Sequence, residues 1–598
     1  MTVTGGTNIK TMYTLEKIKE HIAEKINKAL GGTSTGFPQR SSGQAARGII
    51  QASALVYPPE SAMGDLSLSC FQLVKATKKS PAESADFLIG KISADDMVVN
   101  LRAVGPYLNF TINKEYLTGE VIKEIFKEKE GYGKNKSGKS EKVMIEYSNA
   151  NTHKEYHVGH LRNICYGEAV RSILEVNGYK VIPVSYINDF GIHVAKTLWN
   201  YENFIKEKKL GEKVEAMPAE EKGYLLGEIY VDACRREEKD KTAKTMVGFM
   251  MKKIESRKGA EFELWQKTRD WSIKYFDKIY KELGVEFKEI FYESQFIDKG
   301  LKMVKELLAK GILKKSEGAV IADLEKLGVL LFLRSDGTAL YPVADIPLAI
   351  EKFKKYKIKK SIYVVDIRQG LYFKQLISLL RQMGYNQEII HLGYEFVKLP
   401  SGMMSSRTGN VITYRSLKEE MLSQAIKETR KRHKDWPQKR VEEAAGKITL
   451  GAMKFEMMKV SAGSVITFDT AKALQFEGYT AAYLQYTYAR IQSIFKKAKG
   501  KRQKAKVDNL KEEKENNLII KLAKYPEAVR KAGESYDPAE ISKYLFELGQ
   551  DFNDYYHSVP VLKADDDIRE ARLAMLAAIS QVLKNGLELL GIEAMEEM

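Results

Sequence analysis

Cysteine is scarce. The three present, Cys70, Cys165 and Cys234, stand far apart and form no C-x-x-C pair. That argues against a disulfide framework or a structural zinc site and predicts a reducing, cytoplasmic setting. Long apolar runs are missing as well: none approaches the roughly 20 residues a bilayer-spanning helix needs, so no membrane span is expected. The opening "MTVTGGTNIKTMY" lacks a basic region followed by an apolar one, and no secretory leader is expected. Acid is short relative to base, with a net charge of +17 and a pI near 9.2. Such an excess points to a polyanion, and without a basic amphipathic anchor it favours nucleic acid over membrane.

What is present suits several folded domains. A chain of 598 residues exceeds one ordinary core, and 44% hydrophobic with 29% charged residues is the balance of a soluble protein. Residues 1–128 mix helix and strand signals. "TLEKIKEHIAEKINKAL" has helical spacing, "IIQASALVYPP" and "GPYLNFTIN" read as strands, and "GDLSLSCFQLVKATKKSPAESADFLIGKI" reads as helices broken near Pro81. The polar segment 129–142 reads as a linker. In 143–415, strand signals alternate with helical ones: "KVMIEYS", then a helix closed by Asn177-Gly178, then "KVIPVSYI". That alternation predicts a doubly wound parallel sheet, with a charged helical insertion at about 200–290. "VLLFLRSDGTALYPV" predicts a hairpin turning at Asp336-Gly337. Residues 416–598 read as helical, with "KKAKGKRQKAK" as a solvated loop. The predicted fold class is thus α/β and all-α multidomain: an α+β N-terminal domain, a Rossmann-type sheet domain and a helical C-terminal domain.

The densest chemistry sits in "SNANTHKEYHVGHLRN", Ser148 to Asn163. It joins a predicted strand to a predicted helix, at the sheet edge where open α/β folds bind ligands. Free N–H groups and the positive dipole end of a helix N-terminus suit a phosphate chain. His157 and His160, three residues apart, share one side of a helical turn. Val158 and Gly159 lie between them, and Gly159 leaves room for a base and ribose. The cluster reads as a nucleotide-phosphate cradle; two histidines capping a helix by local hydrogen bonds is the bland alternative.

"HVGH" resembles the H-I-G-H signature of class I aminoacyl-tRNA synthetases, and "IEYSNANTHKEYHVGHLRN" resembles the arginyl-tRNA synthetase family in particular. "GDLSLSCFQLVKATKKSPAESA" and "GPYLNF" are similar to that family's N-terminal module. "RSDGTALYPVADI" and "YVVDIRQGLYFKQ" are similar to its substrate-side segments. "YLQYTYARIQSI" and the closing "RLAMLAAISQVLKNGLELLGIEAMEEM" are similar to its anticodon-binding domain. The resemblance implies an arginine–tRNA ligase; a monomer is expected, though the sequence itself does not give the oligomeric state. The ligase would form arginyl-adenylate and pyrophosphate from ATP, which brings Mg2+, and pass the arginyl group to the terminal adenosine of tRNA(Arg). It also implies that activation requires bound tRNA.

A guanidinium carries five donors in a plane, and carboxylates satisfy it best. The resemblance places Asp345 and Tyr341 at the guanidinium, Glu146 and Asn151 near the substrate's amino end, and Gln369 and Ser148 in the same pocket. Each has a bland reading beside it: Asp345 as a helix N-cap favoured by Pro347, Glu146 as a strand residue, Tyr341 as core. The family's second phosphate-handling signature, K-M-S-K-S, corresponds here to "LPSGMMSSRTGNV". Aligned on Met404 and Ser405, both lysines are gone: Met403 and Ser406 replace them, and Arg407 follows. The cation that stabilises leaving pyrophosphate must then come from elsewhere. The resemblance offers Lys154, just before "HVGH", with Arg407 as the other candidate. Tyr483, Gln485, Tyr486 and Arg490 are the candidate tRNA contacts, since rings and cations suit unstacked bases. Tyrosines along a helix are also commonly packing residues. A catalytically silent RNA-binding relative is the competing reading, resting on the lysine-free second signature.

Overall fold

In the computed structural model the residues described are 12–31, 49–240, 242–398, 400, 412–498 and 507–598. The N-terminal part builds an antiparallel sheet in the order β1-β2-β4-β3, from Leu55–Val56 (β1), Leu66–Ser69 (β2), Val98–Val104 (β3) and Tyr107–Ile112 (β4). Helix Thr14–Ala29 buries Ile18, Ile22 and Ile26, spaced four apart, as the sequence predicts. Helix Pro81–Ile89 starts with a capping box between Ser80 and Glu83 and Pro81 in its first turn.

Two readings are corrected here. "LSLS" is a strand: Leu66 and Leu68 alternate with Ser67 and pair with Phe110 and Leu108 of β4, whose partner β3 the sequence did not announce. The segment 129–142 is packed, and its last residue, Lys142, already belongs to a strand. Tyr132 is buried and donates its hydroxyl to Leu522 O at 3.0 Å. Gly133 N–H donates to the Tyr13 hydroxyl at 2.9 Å, and Asn135 N–H to Val176 O at 2.9 Å. Polar composition suggested a tether, but these residues spend their donors joining three parts of the chain.

The central sheet has five parallel strands: Lys142–Glu146 (β5), Lys180–Ile187 (β6), Glu289–Tyr292 (β7), then Lys360–Asp366 and Glu388–Tyr394. Small strands Lys314–Ser316 (β8), Ala319–Asp323 (β9) and Val329–Leu333 (β10) precede the last two, which are therefore β11 and β12. The order is β12-β11-β5-β6-β7, so the winding reverses between β5 and β11. Residues just beyond the C-terminal ends of those two strands face a crevice. β5 and β11 are buried along most of their length, as strands covered on both faces must be.

Helix Val158–Val176 crosses from β5 to β6 and ends at Asn177, with Gly178 at φ +84°. Between β6 and β7 lies the helical insertion: Ile192–Glu207, Gly211–Ala216, Ala219–Lys239, Ala243–Glu255 and Ala260–Leu283. It begins earlier than the charge pattern suggested. The turn at Asp336-Gly337 forms, with Arg334 N–H donating to Thr338 O at 3.0 Å. Its second arm is a single bridge between Leu333 and Ala339, and then the chain enters helix Pro342–Tyr356.

Beyond residue 412 the long helices are Tyr414–Arg432, Gln438–Met458, Ala481–Lys497, Glu513–Ser535, Ala539–Ser558 and Asp566–Leu589. Val397–Lys398 (β13) pairs with Ile466–Thr467 (β14), tying this helical part back to the sheet domain. Among the described residues, no helix is long and apolar enough to cross a membrane, and no group of three or more His, Cys, Asp or Glu is arranged to hold a metal ion. Cys70, Cys165 and Cys234 are buried thiols.

Candidate active site

β5 ends at Glu146, and the loop that follows is tightly shaped. Ser148 and His153 adopt positive φ (61° and 60°), costly for residues with side chains and sustained here by hydrogen bonds. Ser148 N–H donates to the Asn163 side chain. Asn163 Nδ2 in turn donates to Val364 O at 2.6 Å, so β5, its following helix and β11 lock together.

His157 is the helix N-cap. Its Nδ1 accepts from Gly159 N–H at 3.1 Å and, more loosely, from His160 N–H at 3.4 Å. Nδ1 of His160 accepts from His157 N–H at 3.3 Å. The two rings stack, with centroids 3.8 Å apart. A ring nitrogen that accepts from a backbone N–H carries no proton, so both neutral imidazoles hold theirs on Nε2. Burial, helped by the Lys154 charge, pushes His157 down to about 4; burial, His157 and Lys154 push His160 well below its usual value. Capping and nucleotide binding are thus not alternatives. The cap consumes Nδ1 of each ring and fixes Nε2–H as the outward donor. Gly159 is required for the cap itself, because a Cβ there would stand 2.9 Å from His157 Cε1.

On the far side of β5 lies an acidic pocket. Glu146 is 2% exposed and forms an ion pair with Lys352, which is fully buried. Its other oxygen accepts from Asn149 Nδ2 at 3.0 Å. Burial opposes the Lys352 charge most strongly, but Glu146, Tyr363 and Asp345 together outweigh it and the ammonium is held above its usual value. Asp345 lies in the first turn of helix Pro342–Tyr356, its N–H bonded to Tyr341 O. It is therefore not the N-cap, and Pro347 sits inside the helix. Tyr372 donates to Asp345 Oδ2 at 2.5 Å. Burial, with Glu146 adding repulsion against the Tyr372 hydrogen bond, raises Asp345 to about 6.

The sequence reading missed Glu293, just after β7. It accepts from Asn188 Nδ2 at 3.1 Å and is raised to about 8 by burial, with Asp345 and Asp189 adding like charge. Asp189 holds that region in place through Arg269 and the N–H and hydroxyl of Ser294. Only the raised carboxyl group, visible once β7 folds beside β6, marks Glu293.

The other expected residues scatter more. Asn151 bridges to Asn188 at the pocket's edge, and Gln369 is exposed at the C-terminal end of β11. Tyr341 is 66% exposed, which removes its core reading. Ser148 is corrected: its buried hydroxyl lies 3.0 Å from the Tyr156 hydroxyl and 3.1 Å from that of Tyr280, so its side chain is spent inside the fold. Met404, Ser405, Ser406 and Arg407 lie outside the described residues. The chain emerging just after them is joined to the first signature: Val158 N–H donates to Ile412 O, and Tyr414 N–H to Tyr156 O.

A carboxylate pocket and an imidazole-donor pair on either side of one switch point suit a cationic amino acid meeting a nucleotide. The family model described as tRNA synthetases class I (R), catalytic domain, matches residues 121–469. Those for the DALR anticodon binding domain and the arginyl tRNA synthetase N terminal domain match 484–598 and 16–112. The chain belongs to the arginyl-tRNA synthetase family. It is 38% identical over 562 residues to the arginine–tRNA ligase of Bdellovibrio bacteriovorus, spanning 91% of this chain and 94% of that one. Identity to the Clostridium botulinum ligase (strain Okra) is 34% over 548 residues, 90% and 95% of the two chains. The fold matches the Thermus thermophilus arginyl-tRNA synthetase with a TM-score of 0.74 at 26% identity, covering 97% of this chain and 100% of that one. This synthetase is thus an arginine–tRNA ligase with ATP as substrate, and the silent-relative reading falls.

In its anticodon-binding domain, Tyr483, Tyr486 and Arg490 are partly exposed on helix Ala481–Lys497. Arg490 donates to Asn553 Oδ1 at 2.5 Å and to the Tyr486 hydroxyl at 3.2 Å, while Asn553 Nδ2 donates to the Tyr483 hydroxyl at 2.8 Å. Gln485 is corrected. It is fully buried on the opposite side, donating to Glu593 O at 2.9 Å.

Proposed function

We propose that arginine binds with its guanidinium at Asp345 and Glu293, beside Tyr341, and that Glu146, Asn151 and Gln369 surround its amino-acid end. The observation that carries this reading is a cluster of like charges: Glu146 acts on Asp345 and Asp345 on Glu293, and both partly exposed carboxyl groups are raised. A bound cation with five donors relieves that strain, whereas an ammonium leaves acceptors unpaired. Glu146 keeps lone pairs to offer, since Lys352 and Asn149 engage one site on each oxygen.

ATP lies over the helix N-terminus, its phosphates receiving the Nε2–H donors of His157 and His160 and the charge of Lys154, with Val158 and Gly159 beneath. The arginine carboxylate attacks the α-phosphorus; the new anhydride oxygen–phosphorus bond forms as pyrophosphate leaves. A ribose hydroxyl of the terminal adenosine then attacks the carbonyl carbon and displaces AMP. Lys154 supplies the cation for pyrophosphate departure, with Mg2+ arriving on ATP and Arg407 as the second candidate. Tyr483, Tyr486 and Arg490 contact tRNA(Arg). The synthetase acts as a monomer in the cytoplasm.

A crystal grown with arginine and a non-hydrolysable ATP analogue tests the pocket. The guanidinium is expected within hydrogen-bonding distance of Asp345 and Glu293; arginine bound elsewhere overturns the assignment.

A further inference from the structure

The helical insertion touches the catalytic loops at a definite place. Lys154 Nζ lies 4.8 Å from the centroid of the Tyr230 ring, and Tyr230 is only 8% exposed on insertion helix Ala219–Lys239. One turn earlier, Gly227 lets that helix approach the backbone: a Cβ there would stand 2.2 Å from Glu155 Cγ and 2.7 Å from Glu155 N. Further back, Glu221 receives Arg415 Nη2 at 2.5 and 2.6 Å, and Tyr224 stacks on the same guanidinium at 4.2 Å. One helix therefore grips the residues just before the first signature and a residue just after the second.

We propose that this helix belongs to the phosphate-handling machinery, with Tyr230 as the positioning residue for Lys154. The inference rests on the reading of Lys154 as the cation for leaving pyrophosphate. An aromatic face attracts an ammonium through its quadrupole without neutralising it or consuming its donors, whereas a carboxylate would do both. The Lys154 charge already bears on the neighbouring imidazoles: burial first, and Lys154 after it, depresses His157 and His193, and Lys154 contributes at His160 too. Close approach at Gly227 sets the height of the loop over the ring. The insertion thus offers the cation a defined place over the Tyr230 ring.

ATP–pyrophosphate exchange with tRNA(Arg) present tests this. Tyr230→Leu is expected to lower kcat about tenfold, with KM for arginine and ATP nearly unchanged, while Tyr230→Phe, which keeps the ring, stays near wild type. In a Lys154→Ala background, Tyr230→Leu is expected to add nothing. A slow Lys154→Ala with a fast Tyr230→Leu, or additive losses in the double variant, overturns the positioning role alone. A Lys154→Ala that exchanges at the wild-type rate removes the reading beneath it. Should Tyr230→Leu fail to fold, successively fluorinated phenylalanines at 230 keep the shape while draining the ring's charge. The rate is expected to fall with each fluorine, and a flat series overturns the proposal.

Discussion

Val158 donates its backbone N–H to the carbonyl of Ile412, 3.1 Å away, and Tyr156 accepts from Tyr414 N–H at 2.7 Å beside it. His157 and Thr413 form an antiparallel bridge at the same place. The base of the first nucleotide signature is thus hydrogen-bonded to the chain leaving the second. The histidines proposed to meet ATP therefore share a hydrogen-bonded base with the segment 412–414.

Gly159→Ala tests whether the histidine cap is needed. The added methyl meets the His157 ring at 2.9 Å, and the ring is held by its own hydrogen bond to Gly159 N–H. Turning it away loses the cap and the orientation of Nε2. Pyrophosphate exchange should fall about 100-fold, while circular dichroism stays that of the wild type.

Arginine affinity should depend on pH. Carboxyl groups raised to about 6 at Asp345 and about 8 at Glu293 are neutral below those values, and a guanidinium selects the ionised form. Binding therefore releases protons, and affinity rises with pH through this window and levels off above it, by up to about tenfold per unit for each proton released. Titration calorimetry in buffers of different ionisation enthalpy counts the protons. Asp345→Asn should remove the lower step and raise the arginine KM far more than that for ATP. A pH-independent affinity would contradict the pocket.

Lys352→Met should destabilise the sheet by about 3–5 kcal/mol, because Glu146 is left buried beside Asp345 without its counter-charge. Adding Glu146→Gln removes the stranded charge and should recover much of the loss. Native-state hydrogen exchange at β5 and β11 reads the difference locally.

Arg490 and Gln485 should separate cleanly. Arg490→Ala is expected to weaken tRNA binding and flatten its salt dependence. Gln485→Ala should leave tRNA affinity alone and loosen the C-terminal end, where its side chain holds Glu593 O. Filter binding across salt concentrations, paired with exchange protection near Glu593, distinguishes them.

The sequence by itself determined the strand, loop and helix around His157–His160. Those features rest on hydrogen bonds and periodicity spanning a few residues, and the same holds for the Asn177-Gly178 stop and the Asp336-Gly337 turn. The strand that ends at Glu146 was legible too, from its run of apolar residues. Tertiary structure alone decided which way side chains face and what lies across from them. It turned Ser148 and Gln485 inward, paired Glu146 with Lys352 from a distant helix, brought Glu293 beside Asp345, and set Tyr230 under Lys154. Burial and Coulomb interactions act through space, and their partners here are separated by long stretches of chain that carry no local trace of the meeting.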